Sequence, residues 1–378
     1  MIILAIETSC DDTCIAILKI KNKKIKILSN IVSSQVKIHK KYGGVYPFLA
    51  KREHQKNLPI VLKRALKGAK LLLKDIDLIA VTVGPGLEPC LWVGVNFAKD
   101  LAKKLKLPIV PVNHIEAHIF ANFVGKSQIS NLKSQIFPAI CLVVSGGHTQ
   151  LILMRGFGSY KILGETRDDA AGECFDKVAR ILGLGYPGGP AIALQSSKFK
   201  KSKINKYTPD ELLIQLPRPM IYQKNYDFSF SGLKTAVLYL YQKLKTEPGE
   251  AGRGERGGEV LAIIKNQKYI KAMCSEVQQA VIDVLIYKTL KAAKDYMAKT
   301  IILGGGVAAN KELRRQFVSN VKSQMPNAKI LVPPKIFCTD NAVMVAVAGY
   351  FGWLEGKTKS LEEIKAEANL RIGQNDND

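Results

Sequence analysis

Two of the chain's five histidines stand four residues apart in Asn113-His114-Ile115-Glu116-Ala117-His118. On a helix that spacing puts both imidazoles on one face, where they can share one metal ion. A pair of surface or cap histidines is the plainer alternative. A metallopeptidase motif sets Glu directly after the first His. Here Ile115 holds that place and Glu116 comes one position later, turned by about 100° around a helix, so peptidase chemistry is not indicated. A third ligand must come from elsewhere. Asp340 in Cys338-Thr339-Asp340-Asn341, at the expected entrance of a helix, is the best-placed acid. Its competing use is as an N-cap, and Cys338 is the competing ligand. Two nitrogens and a carboxylate suit Fe2+ as well as Zn2+, whereas a thiolate would favour zinc.

A second group of residues suits an anion or nucleotide. Ser145-Gly146-Gly147-His148-Thr149 follows an apolar run directly, and glycines there let backbone amides approach a negatively charged ligand. His148 is a phosphate partner or a turn cap; nothing in its spacing joins it to His114 and His118. Thr8-Ser9-Cys10-Asp11 forms an earlier polar turn that is a candidate anion site. Asp176 is an acid able to accept ribose hydroxyls, and Tyr186-Pro187-Gly188-Gly189-Pro190 and Gly304-Gly305-Gly306 add further close approaches. Together these turns favour a nucleotide cleft in an α/β chain.

The elements that must position these residues follow from the apolar pattern. Strands are expected at 1–6, 14–20 and 26–33, a helix at 53–73, a strand at 76–83, a helix at 92–105 and a strand at 109–112. After an exposed connection at 125–135, the strand–turn–strand device repeats at 139–144 and 150–154, which suggests two similarly built lobes. Helices are expected at 170–182 and 280–298, a strand at 300–303, a helix from 309 and a buried helix at 342–350. Residues 198–206, with five lysines, and 247–259, with five glycines, read as loops, and 373–378 as a disordered end.

Composition sets the bounds. At 378 residues the chain suits two domains, and 47% hydrophobic with 23% charged residues is a globular balance. Its longest uninterrupted apolar run, residues 136–144, falls far short of the about 20 residues that span a bilayer. The first residues lack a basic region ahead of their apolar stretch, so no secretory signal is expected. Seven cysteines, an odd count without Cys-x-x-Cys, read as reduced thiols in a cytoplasmic protein. The net charge of +24, from 56 basic and 32 acidic residues, attracts a polyanion over long range.

The motifs, taken together, resemble the universal tRNA threonylcarbamoyladenosine transferase family, formerly described as glycoprotein endopeptidases, in its bacterial type. The resemblance rests on IETSCDDT at 6–13, YGGVYPFLAKREH at 42–54, GPGLEPCLWVG at 84–94, HIEAH at 114–118, LVVSGGHTQL at 142–151 and DDAAGECFDK at 168–177. It continues through YPGGP at 186–190, DFSFSGLKT at 227–235, GGGVAAN at 304–310 and FCTDNA at 337–342. It implies the two-lobed α/β actin-like ATPase fold shared by actin, Hsp70 and sugar kinases, with a nucleotide cleft between lobes. The expected division is 1–137, then 138–338 with insertions near 198–209 and 245–260, then a helix within 339–361 returning to the first lobe, and a tail at 362–378.

The same resemblance implies transfer of threonylcarbamoyl from threonylcarbamoyl-AMP to N6 of adenosine 37 in tRNAs reading codons that begin with A. It makes His114, His118 and Asp340 the ligands of one divalent ion, Fe2+ or Zn2+. It gives the adenylate to Val143, Val144, Ser145, Gly146, Gly147, Asp176, Gly189 and Asn310, with 227–235 closing the second lobe. Its partners would be tRNA, a shorter non-catalytic paralogue and a small ATPase. No residue stands out as general base. The departures are Asp12 for Glu, Cys90 and Cys174 for Ala, and Phe48 for an acid. An ATP-dependent small-molecule kinase of the same fold and a non-catalytic scaffold are the alternatives.

Overall fold

The computed structural model describes residues 1–125, 136–199, 214–246 and 267–373. All but Gly125 of the expected connection at 125–135, nearly all of both insertions, and 374–378 therefore lie outside the described residues.

The described strands form two five-stranded sheets. In the first, β1 (Ile2–Glu7), β2 (Asp12–Lys21) and β3 (Lys24–Ser34) make an antiparallel meander. Next to β1, β4 (Leu78–Gly84) and β5 (Ile109–Asn113) run parallel, giving the order β3-β2-β1-β4-β5. The second sheet repeats the plan. Here β6 (Ala139–Val144), β7 (Thr149–Gly156) and β8 (Ser159–Glu165) form the meander. The parallel pair is β9 (Thr300–Gly304) and β10 (Lys329–Leu331), in the order β10-β9-β6-β7-β8. The edge strands β8 and β10 escape the sequence pattern, β8 being half-exposed and β10 only three residues long, whereas β4 and β6 are buried throughout and read as unbroken apolar runs.

Nine helices and a short turn of helix, among the described residues, cover these sheets: α1 (Val36–His39), α2 (Pro47–Ala69), α3 (Glu88–Leu105), α4 (His114–Phe120) and α5 (Ala171–Ile181). The remainder are α6 (Gly188–Ser197), α7 (Ser231–Thr246), α8 (Gln267–Asp295), α9 (Lys311–Gln324) and α10 (Ala342–Leu354). Both α2 and α3 begin earlier than their apolar spacing suggests, because a proline in the first turn supplies a helical φ where no N–H is needed. Helix α2 stops at Ala69 and not at 73, because Lys70 turns left-handed.

Alternating strand residues sort themselves to opposite faces. Leu4, Ile6, Ile15 and Val81 pack against α2 and α3. Ile3, Ala5, Ala16 and Ala80 turn the other way, into a cluster that contains α4, α10 and the inner-facing Ala139, Cys141 and Val143 of β6. Ile140, Leu142 and Val144 face α5, α8 and α9. The result is helices, sheet, helices, sheet, helices. Helix α10, apolar on all sides, is buried from Ala342 to Gly352 between the sheets. Residues 362–373 are not free: Glu367 N donates to Val83 O, and Arg371 pairs with Glu165 at 2.6 Å.

Candidate metal centre

Helix α4 starts where β5 ends because Asn113 caps it, its Oδ1 accepting from Ile115 N at 2.9 Å and Glu116 N at 3.2 Å. That fixes His114 as the first helical residue and sets His118 one turn on, with ring centroids 4.6 Å apart. Across from them, α10 is capped by Asn341, whose Oδ1 accepts from Met344 N at 3.1 Å. The capping use of Asp340 is thereby excluded. Its Oδ1 lies 3.3 Å from His118 Nε2 and 3.6 Å from His114 Nε2. Cys338, the rival ligand, is turned away: its Sγ lies 3.6 Å from Pro334 O and 3.5 Å from Arg314 Nη1.

The residues fit a metal ion. His118 is fully buried, yet neither of its ring nitrogens has a hydrogen-bond partner. An orphaned buried imidazole is costly unless something else meets its lone pair. Its short approach to Asp340 lacks hydrogen-bond geometry, and one donor atom from each of His114, His118 and Asp340 falls within 4.8 Å of the others. Ligands about 2.0–2.1 Å from a tetrahedral ion stand roughly 3.3 Å apart. Three protein donors, two imidazoles and a carboxylate, suit a catalytic divalent ion with positions left for water or substrate.

Glu7, at the end of β1, supports this centre and was not singled out from the sequence. Its Oε2 lies 2.9 Å from His114 Nδ1 and accepts from Thr82 Oγ1 at 2.7 Å, while Oε1 accepts from Ser9 N at 2.5 Å. A carboxylate on Nδ1 fixes the tautomer that turns the Nε2 lone pair toward Asp340. Burial opposes charge on Glu7, but the adjacent His114 outweighs it and holds the carboxyl below its usual value. Burial likewise lowers His114, and Glu7 and Asp340 overcome that to bring it to about 9. Asp340, despite burial, is held at about 2 by His114 and His118. These directions belong to the protein groups alone, and a divalent ion favours unprotonated nitrogens.

The other expected site residues fall into two kinds. Some face inward. Thr8 Oγ1 donates to Cys90 O at 3.0 Å, Ser9 Oγ lies 3.2 Å from His114 Nδ1, and Cys10 O accepts from His54 Nε2 at 3.0 Å. Asp11 is pushed up by burial and by Asp340, and Asp12 rises to about 7 for the same first reason. Asp176 Oδ1 accepts from Gly188 N at 2.6 Å and so ties α5 to the start of α6. Asn310 caps α9, accepting from Glu312 N at 2.9 Å, and its Nδ2 donates to Gln278 at 2.8 Å.

Others face open space. The turn after β6 closes on itself, with Ser145 N donating to His148 O at 2.8 Å and His148 N to Ser145 Oγ at 3.1 Å. Gly146 and Gly147 are exposed, and a Cβ on either would meet nothing within 4 Å. Packing therefore does not demand glycine there. Gly305 differs: its φ is +87°, and a Cβ would stand 2.3 Å from Val144 O. Gly304 adjoins His118 O and Gly305 adjoins Val144, so the metal cluster and the glycine turn are neighbours. His148 belongs to the same neighbourhood, lowered to about 4 by burial and then by His114 and His118. Asp168 holds the 227–235 segment, its Oδ1 accepting from Phe230 N at 2.9 Å and Ser231 N at 3.1 Å.

Comparison with known proteins agrees with the motifs. The family model described as tRNA N6-adenosine threonylcarbamoyltransferase matches residues 26–347. A curated protein of that name from Thermosipho africanus (strain TCF52B) is 47% identical over 372 residues, 98% of this chain and 100% of its own length. Another, from Thermosipho melanesiensis, is 48% identical over 350 residues, 93% of this chain and 94% of its own. Among solved structures, that of T. kodakarensis HypF is alike in fold, with a TM-score of 0.51 and 15% identity over 94% of this chain and 48% of that one.

Proposed function

The chain belongs to the bacterial-type tRNA N6-adenosine threonylcarbamoyltransferase family, and from that membership we propose where and with which residues it works. The enzyme moves threonylcarbamoyl from threonylcarbamoyl-AMP to N6 of adenosine 37 of tRNA and releases AMP. The kinase and scaffold alternatives give way to this activity. The buried His114–His118–Asp340 cluster is able to hold a divalent ion, Fe2+ or Zn2+.

In our reading, residues 1–137 and 138–338 are two lobes around a nucleotide cleft, with α10 returning to the first lobe and 362–378 forming the tail. His114, His118 and Asp340 are the metal ligands. Val143 to Gly147 cradle the adenylate, the open Gly146 and Gly147 letting its phosphate approach the backbone. Asp176, Gly189 and Asn310 fix the walls of this site, and Thr8 to Asp11 form its floor beside the metal cluster. The ion, when bound, supplies Lewis acidity and orientation at the threonylcarbamoyl group. The protein's share is to hold the carbamoyl carbon against the exocyclic amine of adenosine 37, so that attack proceeds within a bound pair. The C–O bond to the phosphate then breaks, AMP departs with the electron pair, and the proton released from N6 passes to the departing phosphate or to water. No side chain is assigned the part of general base.

The observation that carries this reading is the buried His118 ring, without hydrogen bonds, 3.3 Å from Asp340. Elemental analysis of wild type, His114→Ala, His118→Ala and Asp340→Ala tests it. Near-stoichiometric metal in wild type and loss in each variant is expected; retention in all three overturns the assignment. We further propose that a shorter paralogue and a small ATPase assist the reaction, with the exposed side of α2, where Ile60 lies outward, as a contact. Transfer by the isolated chain should be slow and should recover when both are added; full turnover without them would count against this.

A further inference from the structure

One stretch of the surface is unlike the rest in charge and in aromatic exposure. From Thr13 to Arg52 there are 40 residues without a single Asp or Glu, and ten of them are Lys or Arg. Within it Tyr42, Tyr46 and Phe48 are 63%, 55% and 65% exposed, three large rings left outside the core in seven residues. The rings of Tyr42 and Tyr46 lie 6.0 Å apart and 29° from parallel. Lys40, Lys41 and Arg52 are exposed around them.

The stretch is anchored beside the transfer site. Gln35 N donates to Asp11 O at 3.1 Å, and His54, about two turns into α2, holds Cys10 O. On the far side Arg180 of α5 donates to Gly43 O, which ties the stretch to the layer carrying Asp176. Tyr186 is pushed up by burial and then by the charges of Asp11 and Asp176. Asp11 and Asp12, the acids just before the stretch, are largely withdrawn from solvent, and Glu53, the acid just after it, is half-buried.

We propose that residues 36–52 are the platform on which the single-stranded anticodon loop of the tRNA docks, with Tyr42, Tyr46 and Phe48 stacking unpaired bases and Lys40, Lys41 and Arg52 neutralising phosphates. Unpaired loop bases present free π-faces, and proteins read such loops by stacking them on exposed aromatics inside a basic surface. A protein partner would not need the five basic residues that 36–52 carries without an acid, and a duplex would not need the rings. The acceptor adenosine lies in such a loop, so a platform flanking the site orients it for attack. This inference rests on the transfer site proposed above.

The test is the double variant Tyr42→Ala/Tyr46→Ala and the single variant Phe48→Ala, assayed for binding to unmodified tRNA and to a blunt RNA duplex at one fixed salt concentration. Removing the stacking should weaken tRNA binding by about tenfold or more. Duplex binding, metal content and thermal midpoint should stay at wild-type values, and Tyr42→Phe/Tyr46→Phe should bind tRNA normally. Unchanged tRNA affinity overturns the proposal, as does an equal loss for the duplex. So does unchanged tRNA affinity with lost stimulation by partner proteins, which would make the patch a protein interface. Because tRNA affinity and metal content are read separately, failure of the metal assignment leaves this result interpretable on its own.

Discussion

At the scale of single residues, the His114–His118–Asp340 cluster depends on a side chain outside it. Glu7 is fully buried and spends its two oxygens on His114, Thr82 and Ser9. Partners of this kind typically change metal affinity 10–100-fold when removed. Glu7→Gln, which keeps the shape and loses the charge, should therefore surrender its metal to a chelator at concentrations about tenfold lower; an unchanged competition curve would reduce Glu7 to a packing residue. The glycines make a paired prediction. Gly305→Ala forces a Cβ to 2.3 Å from Val144 O and should lower the thermal midpoint by several degrees, whereas Gly147→Ala enters open space and should leave it unchanged. If Gly147 is open for a phosphate, its alanine variant should bind AMP more weakly, and unchanged AMP affinity would argue that the turn does not touch the nucleotide. His114 and His118 were legible because helical spacing is local. Glu7 was not, since it meets His114 across 107 residues and nothing in the chain relates the two.

At the scale of elements, caps decide which acid is free for chemistry. A side chain that caps a helix contributes about 1 kcal/mol. Because Asn341 takes that part, Asp340 is left to face the histidines, an outcome that Asp340-Asn341 in sequence leaves undecided. Asn341→Ala should cost about 1 kcal/mol of stability in denaturant unfolding and should also weaken metal binding by loosening Asp340; a stability loss with wild-type metal affinity would separate the two. The strands tell a similar story. Buried β4 and β6 read plainly, while β8 and β10 depend on pairing with neighbours that their own residues do not announce. Helix α8 carries a pH signature. Lys288 is fully buried with Nζ donating to Asn225 O at 3.0 Å, and burial lowers it from 10.5 to about 8. Below about pH 8 the folded and unfolded chains both hold this proton and the cost is constant. Between about 8 and 10.5 only the unfolded chain holds it, so stability rises with pH. Relative to Lys288→Met, the wild-type thermal midpoint should therefore climb across that window, and a flat difference would mean that Lys288 titrates normally.

At the scale of the whole molecule, two sheets of one topology frame α4 and α10, so His114, His118 and Asp340 meet between them from distant stretches of chain. The turn after β1 and the turn after β6 occupy equivalent places at the ends of equivalent strands, the first beside the metal cluster and the second open to solvent. The charge acts on a different length scale. A net +24 attracts RNA phosphates from all around, and it does so through many lysines that each contribute little. Docking and chemistry should then separate cleanly. Binding of unmodified tRNA should weaken as salt rises, with a log–log slope of about −0.7 to −0.9 for each phosphate neutralised. His118→Ala should keep that slope and most of the affinity, because the ring is buried and offers nothing to a phosphate. The same variant, supplied with threonylcarbamoyl-AMP and any required partner proteins, should transfer to nucleoside 37 at least a hundredfold more slowly. A variant whose tRNA affinity fell in step with its transfer rate would instead make the metal centre part of the RNA docking surface. Wild-type transfer by a metal-free His118→Ala protein would remove the ion from the reaction while leaving the charge-driven docking as it stands.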